Sequence, residues 1–373
     1  MKILQLSKYY PPVRGGIETT TYELTEGLRR RGLHADVLCS NDSATTIRER
    51  APSGYMIVRA ASAGRLLSLS VAPTLLTEAR RLFRNYDIIH VHMPDPLAAL
   101  ALWLIRPQAR VVLHWHSDVV RQRVSRKLYE PLQQWLMQRA EAIIATTSVY
   151  ADGSDVLRPW MHKVHVIPIG ISDPVPGVNA ERVSAIRASY EGKKIVLGLG
   201  RMTYYKGFDV LIRAARLLPD DVQVLIGGSG HLSGQCRRQI DELGLQNKVQ
   251  LLGPLSEDDL PDHYAAADVF CLPSTARSEA FGVAMLEAMA MSKPVVSTDI
   301  EGSGVSWINQ NGVTGLTVPV GEPGPLAQAL CHMLEDCSLA AACSLAARKR
   351  YLESFTANEM TSRVIDLYRQ IVH

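Results

Sequence analysis

The chain has 373 residues and a mass of 41.1 kDa, with 47% hydrophobic and 21% charged residues. That length suits two domains better than one, and the composition excludes a disordered chain and a coiled coil. The net charge of +3 hides an asymmetry, +8 over residues 1–170 and −5 over the rest, which predicts a first half that faces something anionic.

From the amino terminus, Lys2–Leu6 reads as a strand, Pro11–Gly16 as a loop, and a helix follows to about Arg31. Further strands read at Ala35–Cys39, Asp87–His92, Arg110–His116, Ala142–Thr146 and Val164–Ile167. They are short, rich in Ile and Val, and separated by helix-length segments, the pattern of a parallel sheet covered on both faces. Residues 168–190 hold three prolines and two glycines and read as the join, with 171–190 as the linker.

The pattern then restarts. Strands read at Ile195–Gly200, Val222–Ile226, Val249–Leu252, Asp268–Leu272 and Pro294–Thr298, and helices at Lys206–Leu217, His231–Leu243 and Gly282–Met291. Ser256 with Asp259 looks like a capping box. Thr356 with Glu359 caps a last helix to about Ile371. The expectation is an α/β chain of two doubly wound domains, 1–170 and 191–373, whose last helix, about 356–371, is free to pack back onto the first. Ligands in such sheets lie beyond the carboxyl ends of strands, so two facing domains are expected to form a cleft.

The longest apolar run, Leu97–Ile105, is too short for a membrane-spanning helix, which needs roughly 20 residues. MKILQLSKYYPP is too weakly apolar for a signal peptide, so a cytoplasmic location is expected. Cys39, Cys236, Cys271, Cys331, Cys337 and Cys343 include no CxxC pair and read as reduced thiols.

Five features carry chemistry. Gly15-Gly16-Ile17-Glu18, between the first strand and helix, lets backbone approach a phosphate at a helix N-terminus; it is neither GxGxxG nor a Walker sequence. In GRMTYYKG, Arg201 follows an apolar strand and Lys206 opens the next helix, two cations placed to neutralise a diphosphate leaving group. In SEAFGVAMLEAMA, Glu279 sits at a helix mouth and Glu287 lies on the helix among apolar neighbours, where hydroxyls of a ribose and a sugar suit them as partners. The amides of Phe281, Gly282 and Val283 can face a phosphate. In His114-Trp115-His116-Ser117-Asp118, strand alternation puts both histidines on one face; His116 is nearer the strand end, with Ser117 and Asp118 placed to fix its orientation. One histidine there is a possible metal ligand, but no HxxE or HExxH pattern accompanies it, and satisfied core histidines are common. Finally, the chain contains no Asp-x-Asp. A transferase that holds its diphosphate through Mg²⁺ usually needs such a pair, so Arg201 and Lys206 are expected to replace the metal.

With GGIE, HWHSD, GRMTYYKG and SEAFGVAMLEAMAMSKPVVSTD in place, the whole chain resembles the retaining glycosyltransferases of GT-B fold, family 4. RSEAFG, EGSGVSWINQNGVTGLTVP and HSDVVRQ resemble a subgroup of bacterial mannosyl- and rhamnosyltransferases that build O-antigen or other surface polysaccharide from GDP-sugars on a lipid carrier. The resemblance implies that Arg201 and Lys206 bind the donor diphosphate, Glu287 the ribose hydroxyls and Glu279 the donor sugar. The amides of Phe281 to Val283 contact sugar and phosphate, Gly15 and Gly16 belong to a loop that closes over the diphosphate, and His116 lies beside the transferred sugar. Met291-Ser292-Lys293-Pro294 stands where relatives often have CGKP. The implied reaction is front-side transfer with retention and without a metal cofactor. The implied partners are a nucleotide sugar and a lipid-linked saccharide, with no nucleic acid.

The basic first domain is further expected to dock on the inner face of the cytoplasmic membrane. Arg29–Arg31, Arg80, Arg81, Arg84, Arg121, Arg123, Arg126 and Lys127 would do so, with Leu66, Leu67, Leu69, Leu75, Leu76, Leu82 and Phe83 in an amphipathic stretch. The competing reading puts those leucines in the core. Alternatives for the whole chain are a UDP-sugar donor, a nucleotide-sugar epimerase or hydrolase, and a non-enzymatic nucleotide-sugar-binding protein at the membrane.

Overall fold

The computed structural model describes residues 1–66, 69–70, 72–118 and 123–372; of residues 65, 66, 69, 70 and 123–128 only the backbone is described. The chain divides into two units, Met1–Ser172 with Ala357–His373, and Asp173–Thr356.

The first unit holds β1 (Lys2–Ser7), β2 (His34–Ser40), β3 (Ile47–Arg50), β4 (Met56–Ala60), the short antiparallel pair β5 (Arg65–Leu66) and β6 (Leu69–Ser70), β7 (Ile88–Met93), β8 (Arg110–Trp115), β9 (Ala142–Ala145) and β10 (Val164–Val166). Eight of them form one sheet in the order β10-β9-β8-β7-β1-β2-β4-β3, parallel except that β3 runs antiparallel to β4. Its helices are α1 (Gly16–Arg30), α2 (Thr74–Leu82), α3 (Pro96–Ile105), α4 (Arg123–Arg139) and α5 (Ser148–Asp152), joined by the chain's last helix, α14 (Ala357–Val372). β3, with the sequence IRER, is exposed throughout; a polar edge strand has no apolar alternation to announce it.

Ile3, Ile88, Val112 and Ile144 lie on one face of this sheet and pack with Leu24 and Leu28 of α1 and Met360, Val364 and Tyr368 of α14. Each fully buried aliphatic side chain contributes about 1.5–3 kcal/mol, which is what holds the last helix in the first unit. The two helices touch closely. A Cβ on Gly27 would lie 2.1 Å from Thr361 Oγ1, so only glycine allows this approach.

The second unit holds α6 (Ala180–Ala188), β11 (Lys194–Leu199), α7 (Phe208–Ala215), β12 (Val222–Gly227), α8 (Ser233–Glu242), β13 (Val249–Gly253), α9 (Leu260–Ala266), β14 (Val269–Leu272), α10 (Val283–Ala290), β15 (Val295–Asp299), α11 (Val305–Ile308), β16 (Gly315–Pro319), α12 (Pro323–Glu335) and α13 (Cys337–Ser354). Its sheet is all parallel, in the order β13-β12-β11-β14-β15-β16. The strand order reverses between β11 and β14, as it does between β1 and β7 in the first unit. Crevices at such points open at the carboxyl ends of the strands.

The expected linker 171–190 is corrected here, because its second half is α6. Asn179 caps that helix through Oδ1, accepting from the amides of Glu181 and Arg182. Arg187 then clamps it to the second unit through two hydrogen bonds to Asp268, at 2.9 and 2.6 Å. The helix buries no residue. Polar bonds rather than an apolar stripe hold it, so periodicity does not reveal it.

Candidate functional site

In the second unit, β11 ends at Leu199 and the chain turns through Gly200–Gly207 into α7. Gly207 has φ 65°, and a Cβ there would lie 1.9 Å from the Pro273 carbonyl oxygen. Conformation and space both require glycine, which brings this loop against the segment that follows β14. Lys206 Nζ consequently lies 2.6 Å from Glu279 Oε2, and both side chains are buried. Ser274 Oγ donates to the same carboxylate oxygen at 2.8 Å. Burial alone would lower the Lys206 ammonium; Glu279, with Tyr205, outweighs it and holds the ammonium above its ordinary range. Arg201 is exposed on the same loop, close enough that its charge acts on Lys206.

Glu279 leads into α10, whose N-cap is the left-handed Gly282 (φ 90°). Among the described residues, the amides of Phe281, Gly282 and Val283 enter no hydrogen bond. They stand at a helix N-terminus, where an anion is favoured. The Phe281 ring itself is core, packed edge-on against Phe355. Glu287, further along α10, is partly buried and accepts from Tyr264 Oη at 2.6 Å. Burial first, and Glu287 second, raise the Tyr264 phenol well above its usual range, so it remains a donor. Sequence reading placed Arg201, Lys206, Glu279, Phe281–Val283 and Glu287 in one unit, and the structure brings Lys206 and Glu279 into contact. It missed Ser274 and Tyr264, which no motif marks.

In the first unit, Gly15 is the extended N-cap of α1. Glu18 folds back so far that a Cβ on Gly15 would lie 2.3 Å from its Oε2. A carboxylate therefore occupies the helix mouth where a phosphate was expected, and any anion arriving there must displace it.

His116 lies just past β8, 6% exposed. Its orientation comes from His92, not from the residues beside it in sequence, which corrects the expectation for Ser117 and Asp118. Asp118 Oδ1 accepts instead from the Trp115 indole and from Ser154 Oγ, each at 2.9 Å. His116 stacks on His114, with ring centroids 4.4 Å apart and planes 13° apart. Its Nε2 is 2.9 Å from His92 Nδ1, and His92 Nε2 is 2.9 Å from Gln5 Oε1. A second chain runs from Tyr368 Oη to His90 Nδ1 at 2.6 Å, and from His90 Nε2 to His114 Nδ1 at 3.2 Å. Burial holds all four imidazoles below their ordinary range, His114 at about 3. Two His-x-His pairs on neighbouring strands are the sequence signal that would have revealed this cluster.

His90, His92 and His114 each offer a nitrogen within 4.8 Å of the others. Imidazole lone pairs lie in the ring plane, and the His92 and His114 planes differ by only 23°. Those two rings therefore do not converge on one ion, and every ring nitrogen of His90 and His92 is already hydrogen-bonded, whereas His114 Nε2 is buried without a partner.

These parts suit a ligand that combines a diphosphate with hydroxyl-rich rings. A family model described as Glycosyltransferase Family 4 matches residues 14–173, and one described as Glycosyl transferases group 1 matches residues 179–350. The chain is 32% identical over 376 residues to O-antigen chain mannosyltransferase C of Escherichia coli, covering 100% of this chain and 99% of that one. It is 34% identical over 360 residues to D-rhamnosyltransferase WbpZ of Pseudomonas aeruginosa, covering 96% and 93%. Among solved structures, Anabaena Alr3699/HepE in complex with UDP and glucose matches with a TM-score of 0.82 at 22% identity, covering 99% of each chain. Sucrose-phosphate synthase from Thermosynechococcus elongatus matches with a TM-score of 0.83 at 22% identity, covering 100% of this chain and 99% of that one. At such identities these two speak for the fold alone, the GT-B pairing of Rossmann-like units.

Proposed function

We propose that this chain, which belongs to the family 4 glycosyltransferases, moves a hexose from GDP-mannose or GDP-rhamnose to a lipid-linked saccharide during bacterial surface polysaccharide synthesis. The observation that carries this reading is the buried Lys206–Glu279 pair, next to exposed Arg201 and near the unbonded amides that open α10. The sugar and the setting are supported by whole-length similarity to an O-antigen mannosyltransferase and a rhamnosyltransferase.

Each residue has a stated task. Glu279 cancels the charge of Lys206 and fixes its position, so the net positive charge for a diphosphate comes from Arg201 and the α10 amides. Lys206 then donates to the diphosphate while still held by Glu279, which also contacts the sugar. Glu287, steadied by Tyr264, accepts from the ribose hydroxyls. Gly15 and Gly16 cover the diphosphate, and His116 meets the transferred sugar.

As the sugar C1–O bond breaks, its electron pair goes to the diphosphate oxygen, where these donors stabilise the growing charge. The acceptor hydroxyl attacks C1 from the face the diphosphate leaves, and the leaving phosphate takes its proton, so the configuration is retained. No metal is assigned a part.

The first unit docks on an anionic membrane through a surface that differs from the expected one. Leu75 of α2 and Phe83 just past it are core residues, and Leu76 and Leu82 are half-buried, so α2 leaves little apolar surface free. Leu67 and Arg121 lie outside the described residues, as do the side chains of Leu66, Leu69, Arg123, Arg126 and Lys127. Arg31 is tied to Asn358 and Ser362 of α14. Trp103 and Leu104, 41% and 54% exposed near the end of α3, take the place of the leucines. Exposed Arg80, Arg81, Arg84 and Arg106 lie on or beside the α2–α3 pair.

The test is a donor screen. Purified protein is given GDP-mannose, GDP-rhamnose, UDP-glucose or UDP-N-acetylglucosamine, with and without extracted lipid-linked saccharide. Acceptor-dependent consumption of a GDP-sugar is expected. Consumption of UDP-sugars alone, or release of free monosaccharide at the same rate without acceptor, overturns the assignment.

A further inference from the structure

β1, β7 and β8 are neighbours in the first sheet, and their register sets Gln5 beside His90 and His92 beside His114. Along one face, each strand changes from apolar to polar toward its carboxyl end: Ile3 to Gln5, Ile88 to His90 and His92, Val112 to His114 and His116. Gln5, His90 and His114 have no exposed surface, and His92 has 1%. Burying such groups is costly unless they are hydrogen-bonded. Gln5 Nε2 and His114 Nε2 are buried without a hydrogen-bond partner, and the bonds that the other nitrogens make set a proton order along the cluster.

We infer that Gln5 and His92 are positioning residues that lock His116 in the tautomer protonated at Nε2, so that its bare Nδ1 accepts a hydrogen bond from a hydroxyl of the transferred sugar. The inference rests on the placement of His116 beside that sugar, and deepens it.

The proton order follows from one fixed end. A carbonyl oxygen only accepts, so Gln5 Oε1, 2.9 Å from His92 Nε2, requires a hydrogen on that nitrogen. A neutral imidazole carries one N–H and one lone pair, so His92 Nδ1 is the acceptor. Its partner at 2.9 Å, His116 Nε2, must then be the donor. Nδ1 of His116 is left with the lone pair, and it makes no hydrogen bond among the described residues. Burial, with repulsion from neighbouring imidazoles, keeps both His92 and His116 neutral, so a second proton does not erase the order.

The amide orientation of Gln5 decides everything downstream, because a flipped amide would reverse each donor and acceptor. The Tyr368 hydroxyl is 2.6 Å from His90 Nδ1, and Gln5 lowers a phenol that burial raises, while Gln5 Nε2 is buried and makes no hydrogen bond among the described residues. The groups facing His92 and His116 are thus Gln5 from β1, His90 from β7 and His114 from β8, with Tyr368 from α14 behind Gln5 and His90.

The experiment uses the full chain with ¹⁵N-labelled histidine, at pH 7.5, and long-range ¹H–¹⁵N correlation to read which ring nitrogen of His116 carries hydrogen. The parent should show Nε2 protonated and Nδ1 bare. Gln5→Leu and His92→Phe should mix the two tautomers. His92→Asn, whose amide oxygen can accept from His116 while its NH₂ donates to Gln5, should restore the parent pattern and guards against a variant that merely folds poorly.

Calorimetry with GDP-mannose and with GDP forms the second arm. Gln5→Leu should weaken GDP-mannose by about tenfold, the worth of one hydrogen bond, while leaving GDP within about twofold by the same scale. A parent protonated at Nδ1, or a His116 tautomer unchanged in both Gln5→Leu and His92→Phe, overturns the inference. A tautomer that shifts as described while GDP-mannose affinity is unchanged, in His116→Ala as well, leaves the lock standing and overturns the sugar contact.

Discussion

Lys206 Nζ and Glu279 Oε2 are 2.6 Å apart in a buried pair that joins the loop after β11 to the segment after β14. Removing one partner strands the other charge, at a cost of about 3–5 kcal/mol. Glu279→Gln and Lys206→Met should therefore each lower the melting temperature of the protein, and the double variant should recover much of that loss. Transfer should not recover with it. Lys206→Ala or Lys206→Met is expected to reduce the rate by about 10²–10³ if the ammonium meets the leaving diphosphate. A Lys206 variant with activity within a few-fold of the parent would remove Lys206 from the site.

Glu287→Ala should abolish most transfer while leaving the fold intact, because the carboxylate is only partly buried and accepts from Tyr264. Tyr264→Phe keeps the carboxylate but loosens it, and should cost about 1 kcal/mol of stability with a smaller loss of donor affinity. Titration calorimetry with GDP separates the two. Equal affinity in the parent and Glu287→Ala would show that Glu287 does not hold the ribose.

Transfer is expected to survive excess EDTA. The chain has no Asp-x-Asp pair, and the proposed diphosphate site is built on Arg201, Lys206 and the α10 amides. In that site Arg201 and the α10 amides supply the net positive charge and Lys206 a donor; product formation followed with and without chelator decides this. Activity lost in EDTA and restored by Mg²⁺ or Mn²⁺ would mean that the diphosphate lies elsewhere.

Acid should destabilise the first unit. His90, His92, His114 and His116 all bind protons less readily folded than at their usual value of 6.5. Their contribution is complete above pH 6.5 and is lost as pH falls, toward about 3 for His114. The unfolded chain takes up the extra protons, so each histidine adds a slope of up to about 1.4 kcal/mol per pH unit. Glu23 and Asp95, raised by burial, work the other way and offset part of the loss. Melting curves between pH 8 and 4.5 should show a falling midpoint below 6.5. A flat profile would contradict a buried neutral cluster.

Liposome flotation tests the docking surface. Binding should require anionic lipid and weaken with salt, since each basic residue near such a surface contributes about 1 kcal/mol. Replacing Arg80, Arg81 and Arg84 by Glu, or Trp103 by Ala, should weaken it. Failure to float at low salt would leave an enzyme that meets its acceptor without docking.

Much of the fold was legible because its signals are local. Near-continuous apolar strands such as Ile195–Leu199, helices between them, and glycines where strands meet helices gave both Rossmann-like units and put the motifs at strand ends. SEAFGVAMLEAMA marked both glutamates. What sequence could not show is partnership. Glu279 finds Lys206 across 73 positions, and Tyr368 finds His90 across 278, because strand order and the return of α14 to the first sheet bring them together. Asp118 is two residues from His116 and yet serves Trp115 and Ser154, while His92, 24 residues away, orients it. The α6 segment reads as linker for the same reason. Its hold on the second unit is the Arg187–Asp268 clamp, a long-range polar contact with no periodic trace. Hydrophobic burial repeats along a chain and can be read from it, whereas a hydrogen bond depends on where two distant atoms arrive, and only the tertiary structure decides that.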